Sequence, residues 1–239
     1  MIRGLYAAAT ALEAATQNQN VVAHNLAHAT TPGYRAKGLV YESFDRVLGR
    51  TNVPTGDIVG VRVAEEYRDF KTGGLQSTGS PLDFAVENDG FFVLAGPDGP
   101  VFTRNGTFHL TAGGGLVSQG GYPVQGTIGP VNIPPGAATV DVGQDGTITA
   151  DGSVVGRIQL ARFTSPQKLE EIGPTLFRAP TEAGRQTVEA GVLQGFRESS
   201  NVSPAEAMVQ LISGSRYFEA SQRVLRAISD AIQLNTRPT

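Results

Sequence analysis

His24-Asn25-Leu26-Ala27-His28-Ala29-Thr30-Thr31-Pro32-Gly33-Tyr34-Arg35 ends a long, lightly charged helical segment with a clear stop signal. Through residue 29 the chain offers helix formers and only two full charges, Arg3 and Glu13. Thr30 and Thr31 are β-branched, Pro32 biases the residue before it away from helix, and Gly33 permits a turn of either hand. A helix so poor in charge needs a partner to cover it.

Upstream of the stop, apolar or small residues recur at alternating spacings of three and four: Ile2, Leu5, Ala9, Leu12, Thr16, Gln19, Ala23 and Leu26. This is a heptad-like seam whose small side chains let a neighbouring helix approach closely. The pattern returns at the far end of the chain. Asn201 or Ser203 can cap, Pro204 suits a first turn, and Glu206 completes a capping box. Beyond it Ala207, Leu211, Gly214, Phe218, Ser221, Leu225, Ile228 and Ile232 form a second seam, widened by Met208, Ile212 and Val224. Glu219 and Arg223 stand in the favourable order for an i to i+4 pair.

Between the seams the character changes. Residues 35–75 mix charge with Gly and Pro and read as an extended connector, with a short strand expected over Asp57–Val63. From 76 to 196 the pattern is β, punctuated by Asp89-Gly90, Asp98-Gly99, Asn105-Gly106, Asp145-Gly146 and Asp151-Gly152, which suit tight hairpins. Phe91–Leu94, Thr107–Leu110 and Arg157–Leu160 read as strands, and Ser165-Pro166 as the start of a short helix through Ile172. The fold class is therefore α+β. Segments 1–34 and 197–239 are terminal helices paired as an antiparallel, coiled-coil-like stem, and a mostly antiparallel β domain lies between them.

Composition bounds the function. The 239 residues are 40% apolar, enough for a substantial core. A net charge of -3 and the lack of any basic run argue against nucleic-acid binding. No window approaches the roughly 18 apolar residues of a membrane span. The absence of Cys removes disulfides and thiolate metal sites. The N-terminal segment lacks the continuous apolar stretch of a cleavable signal peptide, so export, if it occurs, is expected to keep the N-terminus.

No catalytic constellation is visible. There is no nucleophile elbow, and the three His residues have no recognisable partners in the sequence. His24 and His28 are one helical turn apart, but no acidic or Cys ligand adjoins them and a zinc-protease helix would carry a Glu. Gly113-Gly114-Gly115 lacks the Lys of a phosphate loop and reads as a hairpin loop. The stretch 143–152 only faintly resembles a calcium-binding repeat. Glu65-Glu66 and Glu170-Glu171 read as solvated faces. No cofactor or metal is assigned.

Helices at both ends of a chain that bury one face against each other leave their other faces uncovered. Head-to-tail contacts between copies that do not close into a ring make a helical filament. The motifs agree with that reading. Asn25-Leu26-Ala27 with Thr31-Pro32-Gly33-Tyr34-Arg35 resembles the N-terminal signature of bacterial flagellar axial proteins, the rod, hook and hook-junction subunits. Ser80–Val86, Gly90–Val93 and Phe102–Phe108 resemble the central block of the rod and hook branch. Gly191–Gly195, Glu198-Ser199-Ser200-Asn201-Val202, Ala205-Glu206 and Arg216–Glu219 resemble its C-terminal block. His24 and His28 stand where Asn is usual.

The resemblance implies a non-enzymatic structural subunit of the basal-body rod, the drive shaft that carries torque from motor to hook. The 200–208 run is similar to proximal rod proteins, while 41–50 and 60–63 are similar to the distal one. The implied partners are copies of the chain, other axial proteins and the flagellar type III export apparatus, with no nucleic acid and no membrane insertion. The implied location is the periplasm-spanning rod. Subunit packing is expected at Ile2, Leu5, Leu12, Leu26, Ala207, Leu211, Phe218, Leu225, Ile228 and Ile232. A secreted β-rich adhesin or glycan-binding module on a helical stalk is the alternative.

Overall fold

The computed structural model describes residues 2–43, 60–188 and 191–236; of residues 2, 3, 232 and 234–236 only the backbone is described. Expectations for the side chains of Ile2 and Ile232, and for the strand start at Asp57–Val59, lie outside the described residues. The chain forms two compact units. The helical unit comprises residues 1–27, 37–69 and 203–239, and the β unit comprises residues 28–36 and 70–202.

The helical unit contains α1 (Ile2–Ala27) and α2 (Pro204–Thr236), with β1 (Lys37–Ser43) and β2 (Val61–Arg68) as an antiparallel ribbon. Ala-rich sequence favours α1. The two helices pack side by side. A Cβ on Gly4 would touch Ile228 at 3.8 Å and one on Gly214 would touch Gln19 at 3.4 Å, so the helices run in opposite directions. On α2 the expected face is turned inward: Ala207 is buried, and Leu211, Gly214, Phe218, Ser221, Leu225 and Ile228 are half-buried.

On α1 the seam differs from the expected one at every second position. Leu5, Leu12, Gln19 and Leu26 are half-buried as anticipated, but Ala9, Thr16 and Ala23 face solvent, while Ala8, Ala15 and Val22 are buried. The helix packs on the β1–β2 ribbon as well as on α2, and Ala14 is buried too, so its covered stripe is wider than a seam for one neighbour. Thus the segment read as a connector contributes a paired ribbon, with a register shift at Val40/Tyr41. Asn25 fixes its start. The side-chain amide donates to the Lys37 carbonyl at 2.8 Å, and its oxygen accepts from the Lys37 N–H at 2.8 Å.

In the β unit, chain order gives β3 (Leu75–Ser77), β4 (Phe84–Val86), β5 (Phe91–Gly96), β6 (Gly99–Thr103), β7 (Phe108–Leu110) and β8 (Leu116–Ser118). There follow β9 (Val140–Val142), β10 (Thr147–Ala150), β11 (Ser153–Arg157) and β12 (Leu160–Phe163). The last are β13 (Glu170–Gly173), β14 (Leu176–Arg178), β15 (Arg185–Val188), β16 (Val192–Gln194) and β17 (Phe196–Glu198). The main sheet has six strands in the order β13-β14-β6-β5-β12-β15. A three-stranded sheet, β11-β10-β9, and the pairs β16-β4, β17-β3 and β7-β8 complete the unit, and every strand ladder is antiparallel.

Strand β5 explains the apolar run at its start. Phe92 and Leu94 enter a core with Phe84, Leu116, Ile133, Ile148 and Leu160. Phe91 and Val93 enter a second core with Phe102, Phe163 and Phe177. A strand covered on both faces reads as continuous hydrophobics rather than an alternation.

The turn dipeptides divide into two kinds. Asp151-Gly152 joins β10 to β11 with φ of 49° and 79°, the left-handed pair that a tight hairpin demands. Asp98-Gly99 and Asp145-Gly146 also sit at strand connections, but Asp89-Gly90 and Asn105-Gly106 do not turn hairpins. Gly106 is needed for close packing instead, since a Cβ there would stand 1.7 Å from the Phe84 carbonyl oxygen. Two other expectations also shift. The helix after Ser165 is one 3-10 turn, Pro166–Lys168, with no Ser165 side-chain cap, and residues 170–173 pair as β13. The run 157–160 is split between β11 and β12, with buried Ile158 at the break.

Candidate functional site: the meeting point of three motif blocks

The stop signal after α1, the strand end at Thr103-Arg104 and the end of β17 are far apart in sequence. Inside the β unit they meet around one carboxylate. Glu198 Oε1 lies 2.7 Å from Arg35 Nη2, and Glu198 Oε2 lies 2.9 Å from Arg104 Nε. All three side chains are at most 2% exposed. The second contact is a charge pair without aligned hydrogen-bond geometry.

Glu198 is held by backbone on both sides. Its Oε1 accepts from the Gly73 N–H at 2.8 Å, and its carbonyl accepts from the Gly33 N–H at 2.8 Å. Arg104 Nη1 donates to the Asn88 and Gly90 carbonyls. Burial pulls the Arg104 guanidinium down to about 10, against the upward pull of the Glu198 charge, so it remains a cation at neutral pH. Two guanidiniums beside one carboxylate, all out of water, hold together only with matched geometry, and losing the carboxylate is costly.

The other motif residues complete the joint. Gly33 has φ of 69°, and a Cβ there would stand 2.4 Å from both Arg104 C and Asn105 N. Tyr34 is fully buried and stacks on His28 with ring centroids 4.9 Å apart. Thr31 Oγ1 lies 3.2 Å from His28 Nδ1, and Pro32 is half-buried. Asn201 Oδ1 accepts from the Ala36 N–H at 2.7 Å, and Asn201 Nδ2 donates to the Lys71 carbonyl at 3.1 Å. Ser200 Oγ accepts from the Val202 N–H at 3.2 Å, and Val202 is half-buried. Ala27 is exposed at the end of α1, where its neighbour Asn25 clamps Lys37.

Sequence reading nominated Asn25, Thr31, Gly33, Tyr34 and Asn201 but not the charges beside them. Arg35, Arg104 and Glu198 each sit inside a quoted motif. Their signal was a full charge next to apolar or turn residues, and only the fold shows that the three charges face one another. Chemically the arrangement binds chain to chain. Among the described residues no three His, Cys, Asp or Glu side chains gather as metal ligands. Asp145 within the 143–152 stretch is engaged by Thr147, whose hydroxyl donates to it at 2.6 Å. The exposed carboxylates at 65–66 and 170–171 are surface groups, with Glu66 paired to Lys37 at 2.7 Å.

A helical unit that joins the N-terminal and C-terminal segments, together with an antiparallel β unit, is the architecture expected from the axial-protein resemblance. Comparison with known proteins narrows this. Residues 5–35 match the profile described as Flagella basal body rod protein, residues 85–150 the Flagellar hook protein FlgE/F/G D1 domain, and residues 193–234 the Flagellar basal body rod FlgEFG protein C-terminal. The Flagellar basal-body rod protein FlgF of Rhizobium meliloti (strain 1021) is 37% identical over 229 residues, covering 95% of this chain and 93% of that one. The rod protein FlgG of Buchnera aphidicola subsp. Schizaphis graminum is 31% identical, covering 98% of each. FlgF of Salmonella typhimurium is 33% identical over 92% of this chain and 93% of that one. The chain belongs to the flagellar basal-body rod protein family.

Proposed function

We propose that this chain is a structural subunit of the flagellar rod, self-assembling through α1 and α2 into the shaft that transmits torque from motor to hook. The observation that carries the reading is the outer surface of α2. While one face packs on α1, Met208, Val209, Ile212, Tyr217 and Val224 stand 52–63% exposed, and Tyr6 on α1 is 59% exposed. Large apolar side chains crowded on the outside of a helix call for a further partner. Family membership supports other copies of the chain and neighbouring axial subunits as that partner. The 3-4 spacing on both helices supports coiled-coil-like packing in the assembled rod.

A proximal position is favoured over a distal one by the 200–208 run. Export through the type III apparatus with the N-terminus retained, and a periplasm-spanning location, belong to the same proposal. None of the relatives described above is an adhesin or a glycan binder.

The test is Val209→Glu combined with Val224→Glu in the full chain. The expected result is an unchanged circular-dichroism spectrum and β-unit melting, with rods absent from isolated basal bodies and loss of swimming. Rods of normal length in a motile double mutant would overturn the proposal.

A further inference from the structure

The backbone enters or leaves the β unit at 27/28, 36/37, 69/70 and 202/203. Three of the segments just inside these crossings, 33–36, 71–74 and 198–201, lie side by side. Gly73 leaves no room for a side chain, since a Cβ would stand 1.9 Å from the Ser199 carbonyl oxygen. The bonds among the segments run from one thread to another. Ser199 N–H donates to the Gly74 carbonyl at 2.8 Å, and Gly33 N–H to the Glu198 carbonyl at 2.8 Å. Glu198 Oε1 holds Gly73 N–H, while the Asn201 amide spans Ala36 N–H on one side and the Lys71 carbonyl on the other. The β3–β17 ladder, Glu198 opposite Leu75, adjoins this cluster.

We propose that Glu198 and Asn201 form a mechanical clasp that makes these threads share load. The inference rests on the rod reading for the origin of that load. Threads without cross-bonds would be drawn out one at a time, each resisting alone. Threads stapled across by buried or half-buried hydrogen bonds must break several bonds together before any one slips. Asn201 suits this role better than one of core stability: it is only half-buried, and its side chain reaches Ala36 on one thread and Lys71 on another.

The chain has no native Cys, so Ile128→Cys, at a fully exposed position, and Ala205→Cys provide unique handles for pulling the full-length protein in magnetic tweezers. At constant force, Asn201→Ala is expected to shorten the lifetime of the attached segment about tenfold, from two hydrogen bonds lost. Asn201→Asp keeps the acceptor for Ala36 N–H and should recover part of it. The thermal midpoint of the β unit should fall by only a few degrees in Asn201→Ala and by less in Asn201→Asp, as two lost hydrogen bonds in a unit of this size require. In cells, Asn201→Ala basal bodies should contain rods, yet swimming should fail at a lower medium viscosity than in the parent.

An unchanged lifetime would overturn the clasp, as would an equal shortening in a variant of matched thermal midpoint altered in the β-unit core away from these threads, such as Ile148→Val. Parental swimming of Asn201→Ala cells at every viscosity would do the same. A shortened lifetime in a protein that is absent from rods would uphold the clasp and remove the rod reading, so the two fail separately.

Discussion

Replacing Glu198 by Gln preserves the shape of the side chain and removes its charge from between Arg35 and Arg104. Both guanidiniums are at most 2% exposed, at 2.7 and 2.9 Å from the carboxylate oxygens, so water cannot take over the neutralisation. Removing one partner from a buried ionic cluster costs about 3–5 kcal/mol. A domain's total stability is about 5–15 kcal/mol, so Glu198→Gln should bring the β unit close to its unfolding threshold. Arg104→Met should cost less, because burial already disfavours the Arg104 charge and Glu198 keeps Arg35 beside it. The double mutant should cost less than the two single changes added together, since the second substitution removes a charge that the first left unpaired. The assay is urea unfolding of the full chain followed by near-UV circular dichroism, where the chain has no Trp and buried Tyr34 reports on the joint. A Glu198→Gln loss under about 1 kcal/mol, the value of an exposed pair, would refute the reasoning.

Gly33→Val places a β-branched residue at φ 69° with its Cβ against the Arg104–Asn105 backbone. A loss on the order of 3 kcal/mol in the β-unit transition, with impaired motility, is expected, and a fully motile, normally stable mutant would count against the joint. Gly106→Ala, though the glycine has ordinary φ, should be as damaging because Phe84 carbonyl oxygen occupies the methyl position; thermal melting checks this. The hydroxyl of Thr147, then its N–H, holds the Asp145 carboxyl below its ordinary 3.8. A depressed folded-state value contributes stability above the unfolded value that is lost as pH falls through the folded one. Thr147→Val should therefore raise the Asp145 titration midpoint toward 3.8 by NMR and make the 145–147 turn loosen at a higher pH; an unmoved midpoint would contradict the assignment.

Much of this protein is legible in one dimension. The stop at Thr31-Pro32-Gly33 depends on backbone sterics that act within a few residues, and α1 ends at Ala27, just ahead of it. The start of α2 at Pro204 is equally local, with Ser203 Oγ accepting from the Glu206 N–H at 3.4 Å. The apolar and glycine-punctuated text from 76 to 196 announces short antiparallel strands, because hairpin turns and two-sided burial leave residue-type signatures. The order of the motif blocks was enough to suggest the family.

What the sequence could not contain was the set of neighbours that decides between equivalent local choices. A 3-4 repeat on α1 fits two stripes one residue apart, and only the packed helix, with α2 and the β1–β2 ribbon both against it, shows Ala8, Ala15 and Val22 covered and Ala9, Thr16 and Ala23 exposed. Gly90 and Gly106 look like turn glycines until the chain passing Gly106 is seen to need the missing side chain. Arg35, Arg104 and Glu198 look like three solvated charges because each has only local company in the sequence. Coulomb attraction acts through space, over 2.7–2.9 Å between residues 94 and 163 positions apart, so only tertiary structure could turn Gly33-Tyr34-Arg35 from the text after a helix stop into one wall of a buried joint.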